Sequence, residues 1–196
     1  MNSQSEAVRS TKGYPAAMQD VLRCQESVYE TLFRERKSVR YCFANVLLFG
    51  LLHAVFVLMF ARHVWSVSGV SAAPTLQIQI AIICSGIMIA FFMHAGAALF
   101  FWVFTRGLGG RPNFLPLYLN LGVGFIALWP LAPVLSAYQA GLGGPILMVV
   151  LSALSLYAAV VLFFGLKIAS GLSPLRMATA MVLTAVFVAC FLYLWI

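Results

Sequence analysis

From Arg36 to Ile196 the chain contains no aspartate or glutamate. All five acids fall between Glu6 and Glu35, and seven of the twelve basic residues lie in the first forty positions. A soluble domain carries roughly a quarter charged residues, and at this size it still needs a wet surface. Here 9% of residues are charged and 63% are hydrophobic, so water cannot be the solvent for most of this surface. The stretch Arg34–Arg40 is therefore a border between a charged segment and a lipid-soluble one. A membrane β-barrel would need alternating apolar and polar residues in segments of about ten. The apolar runs here are continuous and longer, which predicts an all-α, polytopic membrane protein.

The runs divide into five expected spans. The first, Tyr41–Ala61, has twenty-one residues without an acid, Lys or Arg, and Arg62-His63 closes it. About 20 such residues cross a hydrocarbon core. A loop containing Pro74 is expected over 64–75. The second span, Ile78–Thr105, has 28 residues and ends at Arg106; it exceeds the bilayer thickness and should tilt or protrude. Gly107–Asn113 is a turn cluster. Pro112–Leu166 is fifty-five residues with no charged side chain, enough for two helices. Gly141-Leu-Gly-Gly-Pro145 splits it into Phe114–Tyr138 and Pro145–Leu166. Trp129-Pro130 and Pro133 should kink the far end of the third span. The fifth span, Met177–Ile196, carries Tyr193 and Trp195 as interfacial anchors.

Ahead of the spans, residues 1–13 read as a flexible polar tail and 14–40 as one amphipathic helix of about six turns. Pro15 suits its first turn, and Glu30 with Arg34 forms an i, i+4 pair. This helix either lies on the cytoplasmic membrane surface or packs on the protein's own loops. With the N-terminus cytoplasmic, that side receives eleven basic residues and the opposite side only Arg62. The positive-inside rule selects this orientation and puts the C-terminus on the opposite side. No short apolar core with a cleavage site marks a signal peptide, and no lipidation motif is present.

Three local features accompany this layout: the helix Glu26-Ser-Val-Tyr-Glu-Thr-Leu-Phe33 before the first span, the turn Gly109-Gly110-Arg111 leading into a proline-containing span, and the loop Ala169-Ser-Gly-Leu-Ser-Pro-Leu-Arg-Met-Ala178 entering the last one. Together they resemble the Yip domain family over roughly residues 20–196. Eukaryotic members of that family are five-span proteins that associate with Rab GTPases in vesicle traffic. The resemblance implies a five-helix membrane domain that works by protein–protein interaction. A bacterial inner membrane is favoured over a eukaryotic endomembrane.

The spans carry no carboxylate, so coupling to protons or cations through Asp or Glu is not expected. His53 lies twelve residues beyond Tyr41 and His94 twelve before Arg106, which places both about 18 Å from the cytoplasmic end. Two histidines at one depth could ligate a haem iron, a lesser reading than interhelical hydrogen bonds near Asn45, Ser85 or Asn120. Met59, Met88 and Met93 show no chelating spacing, and the four cysteines form no CxxC or Cys–His motif, so no metal site or other cofactor is expected. Ala95–Ala98, Gly86 with Ala90, and Gly122 with Gly124 offer small faces for close packing. No nucleophile–base pair or phosphate loop is present, which predicts a non-enzyme with no nucleic-acid partner. The expected work is interaction with other membrane protein subunits, as an accessory or scaffold subunit of a larger complex. Anionic lipid headgroups would be contacted through Arg34, Arg36, Lys37 and Arg40. The alternatives are a small oligomeric permease or channel and a bis-His haem electron-transfer subunit.

Overall fold

A computed structural model describes residues 13–67 and 75–193, and all the regular elements in them are helical. The order is α1 (Tyr14–Leu22), α2 (Glu26–Arg34), α3 (Ser38–Val67), α4 (Leu76–Gly107), α5 (Phe114–Gly124), a 3-10 turn (Phe125–Leu128), α6 (Leu131–Gln139), α7 (Pro145–Ser170) and α8 (Pro174–Tyr193). Three stretches are long and apolar enough to cross a membrane: Ser38–Arg62, Leu76–Gly107 and Pro145–Ser170. The pair Phe114–Leu128 and Leu131–Gln139, bent by 71°, makes a fourth if it counts as one span. Pro174–Phe187 is a shorter apolar stretch. The chain is thus an integral membrane protein with three to four candidate spans by this measure. Trp195 lies outside the described residues, as do the N-terminal tail up to residue 12 and the middle of the expected loop at 68–74. Residues 64–67, assigned to that loop by composition, extend α3 instead.

The single amphipathic helix expected over 14–40 is corrected to two short helices and the first residues of a third. Each short helix ends in a Schellman motif. After α1, Cys24 N–H donates to the Val21 carbonyl at 2.9 Å and Gln25 N–H to Asp20 at 3.0 Å. After α2, Arg36 N–H reaches Phe33 at 3.1 Å and Lys37 N–H reaches Leu32 at 2.9 Å. Such a motif places one residue in the left-handed region, normally glycine; here Cys24 (φ 59°) and Arg36 (φ 56°) occupy it. A side chain in this conformation costs about 1 kcal/mol or more. Cys24→Gly and Arg36→Gly are therefore each expected to raise stability by about 1 kcal/mol, readable as a higher melting temperature in detergent.

Ala17, Met18, Val21, Val28, Tyr29 and Leu32 from these two helices are buried in one cluster with Leu119, Val123, Ala127 and Val161. The two helices thus pack on the helices of the bundle rather than on its loops. Lys167 Nζ also reaches Glu26 at 2.7 Å, an exposed pair that contributes little. The expected Glu30–Arg34 pair does not close; Lys37 with Glu35 (2.7 Å) is a pair on this segment that does.

The expected third span bends where the sequence placed its prolines, but the change starts earlier. The helix tightens at Phe125, and Trp129 N–H bonds to the Ile126 carbonyl at 3.2 Å. Pro133 cannot supply the i−4 donor for the Trp129 carbonyl. Ala132 N–H takes that carbonyl instead, at 3.2 Å. Helices α3 and α4 form the closest seam, and glycines set its spacing: a Cβ at Gly50 would lie 2.9 Å from Ile87 Cα and 2.9 Å from Ala90 Cβ, and one at Gly86 would lie 2.7 Å from Ala54 Cβ.

Candidate functional site

Asn45 joins the cap formed by α1 and α2 to the bundle. Its side chain is fully buried. Its Nδ2 donates to the Val123 carbonyl at 2.7 Å and to Met18 Sδ at 3.4 Å, and its Oδ1 accepts from Tyr14 Oη at 2.5 Å. Its backbone carbonyl accepts from Trp129 Nε1 at 3.1 Å. One residue therefore ties together α1, α3, the end of α5 and the proline break. Burial, helped by Tyr41 nearby, raises the Tyr14 phenol above its ordinary pKa, so it stays a neutral donor to Asn45. Asn120 plays a parallel part between α5 and α7, where its Nδ2 donates to the Gly165 carbonyl at 3.0 Å.

Gly165 is also where α2 seats. A Cβ there would stand 2.9 Å from Tyr29 Cε1 and Cζ, so the Tyr29 ring lies directly on the α7 backbone. The Tyr29 hydroxyl is buried without a hydrogen-bond partner among the described residues, and burial raises its pKa. Tyr157 Oη adds a bond to the Leu22 carbonyl at 2.9 Å. Gly165→Ala should lift α2 off α7 at a cost of about 2 kcal/mol. The expected readout is faster limited trypsin cleavage between α2 and α3, reversed by Tyr29→Leu in the same chain.

The two histidines flagged by sequence are not brought together. Helices α3 and α4 meet with Gly50 beside Ala90 and Ala54 beside Gly86. In that register the two rings are offset along the bundle on the order of 10 Å, at 1.5 Å per residue. The equal-depth expectation is corrected because α4 protrudes past the level of Tyr41, so Arg106 is not a level partner for it. Each ring is also engaged separately. His53 Nδ1 lies 3.0 Å from Ser136 Oγ on α6, and its ring stacks on Phe49. His94 Nε2 lies 3.1 Å from the Tyr118 carbonyl, with edge contacts to Tyr118 and Phe125. Asn45, Ser85 and Asn120, the partners expected by proximity, bond elsewhere. Gly122 leaves room for His94: a Cβ there would lie 2.9 Å from His94 Nε2 and 2.2 Å from Cys42 Sγ. Sequence reading marked Gly122 only as a small face.

The basic residues proposed for headgroups sit at the foot of the cap. Arg34, Arg36 and Arg40 are exposed, whereas Lys37 is partly covered and paired to Glu35. Arg34 and Glu30 line a groove of about 330 Å³ whose other walls come from α5 and α7. No local sequence signal marks it, because its α2 wall lies more than eighty residues from the other two in the chain. At the far end, Arg62 Nη2 donates to Gln79 Oε1 at 2.7 Å, and a cleft of about 280 Å³ lies beside Ser136, Gln139 and Val57.

A family model described as the Yip1 domain matches residues 20–196. No curated protein and no solved structure matches the chain. The match begins inside α1 and continues to the last residue, so it takes in α2, the Gly109-Gly110 turn and the whole bundle. The chain belongs to the Yip1 domain family.

Proposed function

We propose that this is a five-span Yip-type protein with a cytoplasmic N-terminus, acting without catalysis as an accessory or scaffold subunit in a bacterial inner membrane. The observation that carries this reading is the cap clamped to the bundle through Asn45, Asn120 and Tyr29. The clamp fixes the direction of an exposed basic surface made by Arg34, Arg36 and Arg40. A scaffold needs such a preset surface, since a partner then pays less ordering cost on binding. Interior hydroxyls support the same view: Thr105 and Thr184 return hydrogen bonds to carbonyls of their own helices at 2.6 and 2.8 Å. The same exposed arginines can hold the cap against an anionic membrane surface at roughly 1 kcal/mol each.

A photo-crosslinking residue at Arg40 tests the proposal in native membranes. The expected result is one stoichiometric adduct with a larger membrane protein, lost when Asn45→Ala loosens the cap. Adducts only between copies of this chain would overturn it. They would favour the second reading, a small oligomeric permease, for which the 71° bend and the cleft beside Ser136 are the supporting observations. Solute flux in proteoliposomes separates the two. Cysteines placed at Gly110 and Gly143 test the orientation: a membrane-impermeant maleimide added to intact spheroplasts should label the second and spare the first.

A further inference from the structure

The groove beneath α2 has a charge pattern suited to one kind of lipid. Glu30 and Arg34 stand one turn apart on α2, about 5–6 Å between Cβ atoms for such a pair. Both are exposed, both line the groove, and neither closes onto the other. A groove offering only basic residues would select anions. One guanidinium beside one carboxylate instead complements a zwitterion whose phosphate and amine are joined by a short arm. Phe33, Pro116, Ile168 and Ala169 make most of the remaining wall apolar, and Tyr29 and Asn120 complete it. The groove also lies just before Ser38, where the first membrane helix begins, and beside Ile168 and Ala169 at the end of the apolar stretch Pro145–Ser170. That is the level at which headgroups would meet a chain that crosses a bilayer through those helices. Its volume of about 330 Å³ falls at the small end of ligand sites. That holds a headgroup with the first carbons of its chains and leaves the tails in the bilayer.

The geometry points to a site for a single phosphoethanolamine lipid, with Arg34 holding the phosphate and Glu30 accepting hydrogen bonds from the primary ammonium. Phosphatidylcholine meets the same charges, but its quaternary ammonium has no N–H to donate. Phosphatidylglycerol has no cation for Glu30. This goes beyond the scaffold reading. It needs α2 at the membrane surface but no protein partner, so failure of the crosslinking experiment leaves it standing.

Native mass spectrometry of the full chain in mild detergent, titrated with dioleoyl phosphatidylethanolamine, phosphatidylcholine or phosphatidylglycerol, tests it. The expected result is one retained phosphatidylethanolamine, bound roughly tenfold more tightly than the other two, the effect of one charge-assisted hydrogen bond. Glu30→Gln should erase that preference, Arg34→Gln should weaken all three lipids, and Arg40→Gln, with the same charge change outside the groove, should alter neither. Ala169→Trp should fill the groove and remove the bound lipid with every charge in place. Equal or tighter retention of phosphatidylglycerol, equal effects of Arg34→Gln and Arg40→Gln, or retention undisturbed by Ala169→Trp would each overturn the site. Displacement by water-soluble phosphoethanolamine at matched concentration would overturn the lipid as the ligand.

Discussion

Gly122→Ala should be the most damaging single-methyl change in the molecule, costing about 3 kcal/mol in a denaturant titration of the detergent-solubilised chain. The added Cβ would fall 2.2 Å from Cys42 Sγ, 3.1 Å from Cys42 Cβ and 2.9 Å from His94 Nε2. None of these can swing clear, since Cys42 and His94 are both buried on the helices that enclose α5. The partner that must yield is named by the shortest distance. Cys42→Ala combined with Gly122→Ala should therefore recover roughly half the loss, a non-additive result of the kind contacting residues give. Gly50→Ala provides a contrast. Its Cβ would meet Ile87 Cα, a backbone atom that no substitution removes. Trimming Ala90 to glycine should relieve that change only in part.

Asn45→Ala should cost about 2–3 kcal/mol, more than most polar truncations in a membrane protein. Interhelical hydrogen bonds in bilayers average about 0.6 kcal/mol, because the separated groups find other partners. Here the bereft carbonyl is enclosed. The Val123 carbonyl faces a fully buried site, and the Tyr14 hydroxyl is aimed into the same place. Tyr14→Phe removes only one of these bonds and should cost about 1 kcal/mol. A double-mutant cycle between Asn45→Ala and Tyr14→Phe should give a coupling of about 1 kcal/mol. Additive losses would mean that Asn45 acts through packing alone. The same pair separates local from global damage. Tyr14→Phe should free the cap to trypsin with only a small drop in the bundle's melting temperature, whereas Asn45→Ala should both free the cap and lower the melting temperature markedly.

Legibility in the sequence followed the residues that carry the signals. Turns with glycine in the left-handed position were readable: Gly109 (φ 86°) and Gly141 (φ 77°) both fall where composition placed a break. The breaks at Cys24 and Arg36 were not, because those residues fill the glycine's role and leave the helical periodicity around them intact. The third span's bend could be read from Pro130 and Pro133, since a missing N–H is a property of the residue itself. Its onset at Phe125 could not, because tightening into a 3-10 turn has no residue signature. The histidine depths failed for a related reason. Counting from charged ends assumes level helices, and the Gly50–Gly86 seam sets a different register. The groove bearing Glu30 and Arg34 lies furthest from local reading, since it exists only once α2 meets α5 and α7.

That docking has a consequence for synthesis. The cap is made first, but Tyr157, Gly165 and Lys167, which hold it, come more than 120 residues later. Until α7 emerges, the apolar stripe of Met18, Val21, Val28 and Leu32 can meet its α3 and α5 partners, Cys42, Leu119 and Val123 among them, but lacks the α7 surface around Val161. Full seating of the cap therefore waits for α7, which makes the seated cap a marker that the bundle has been completed through that helix.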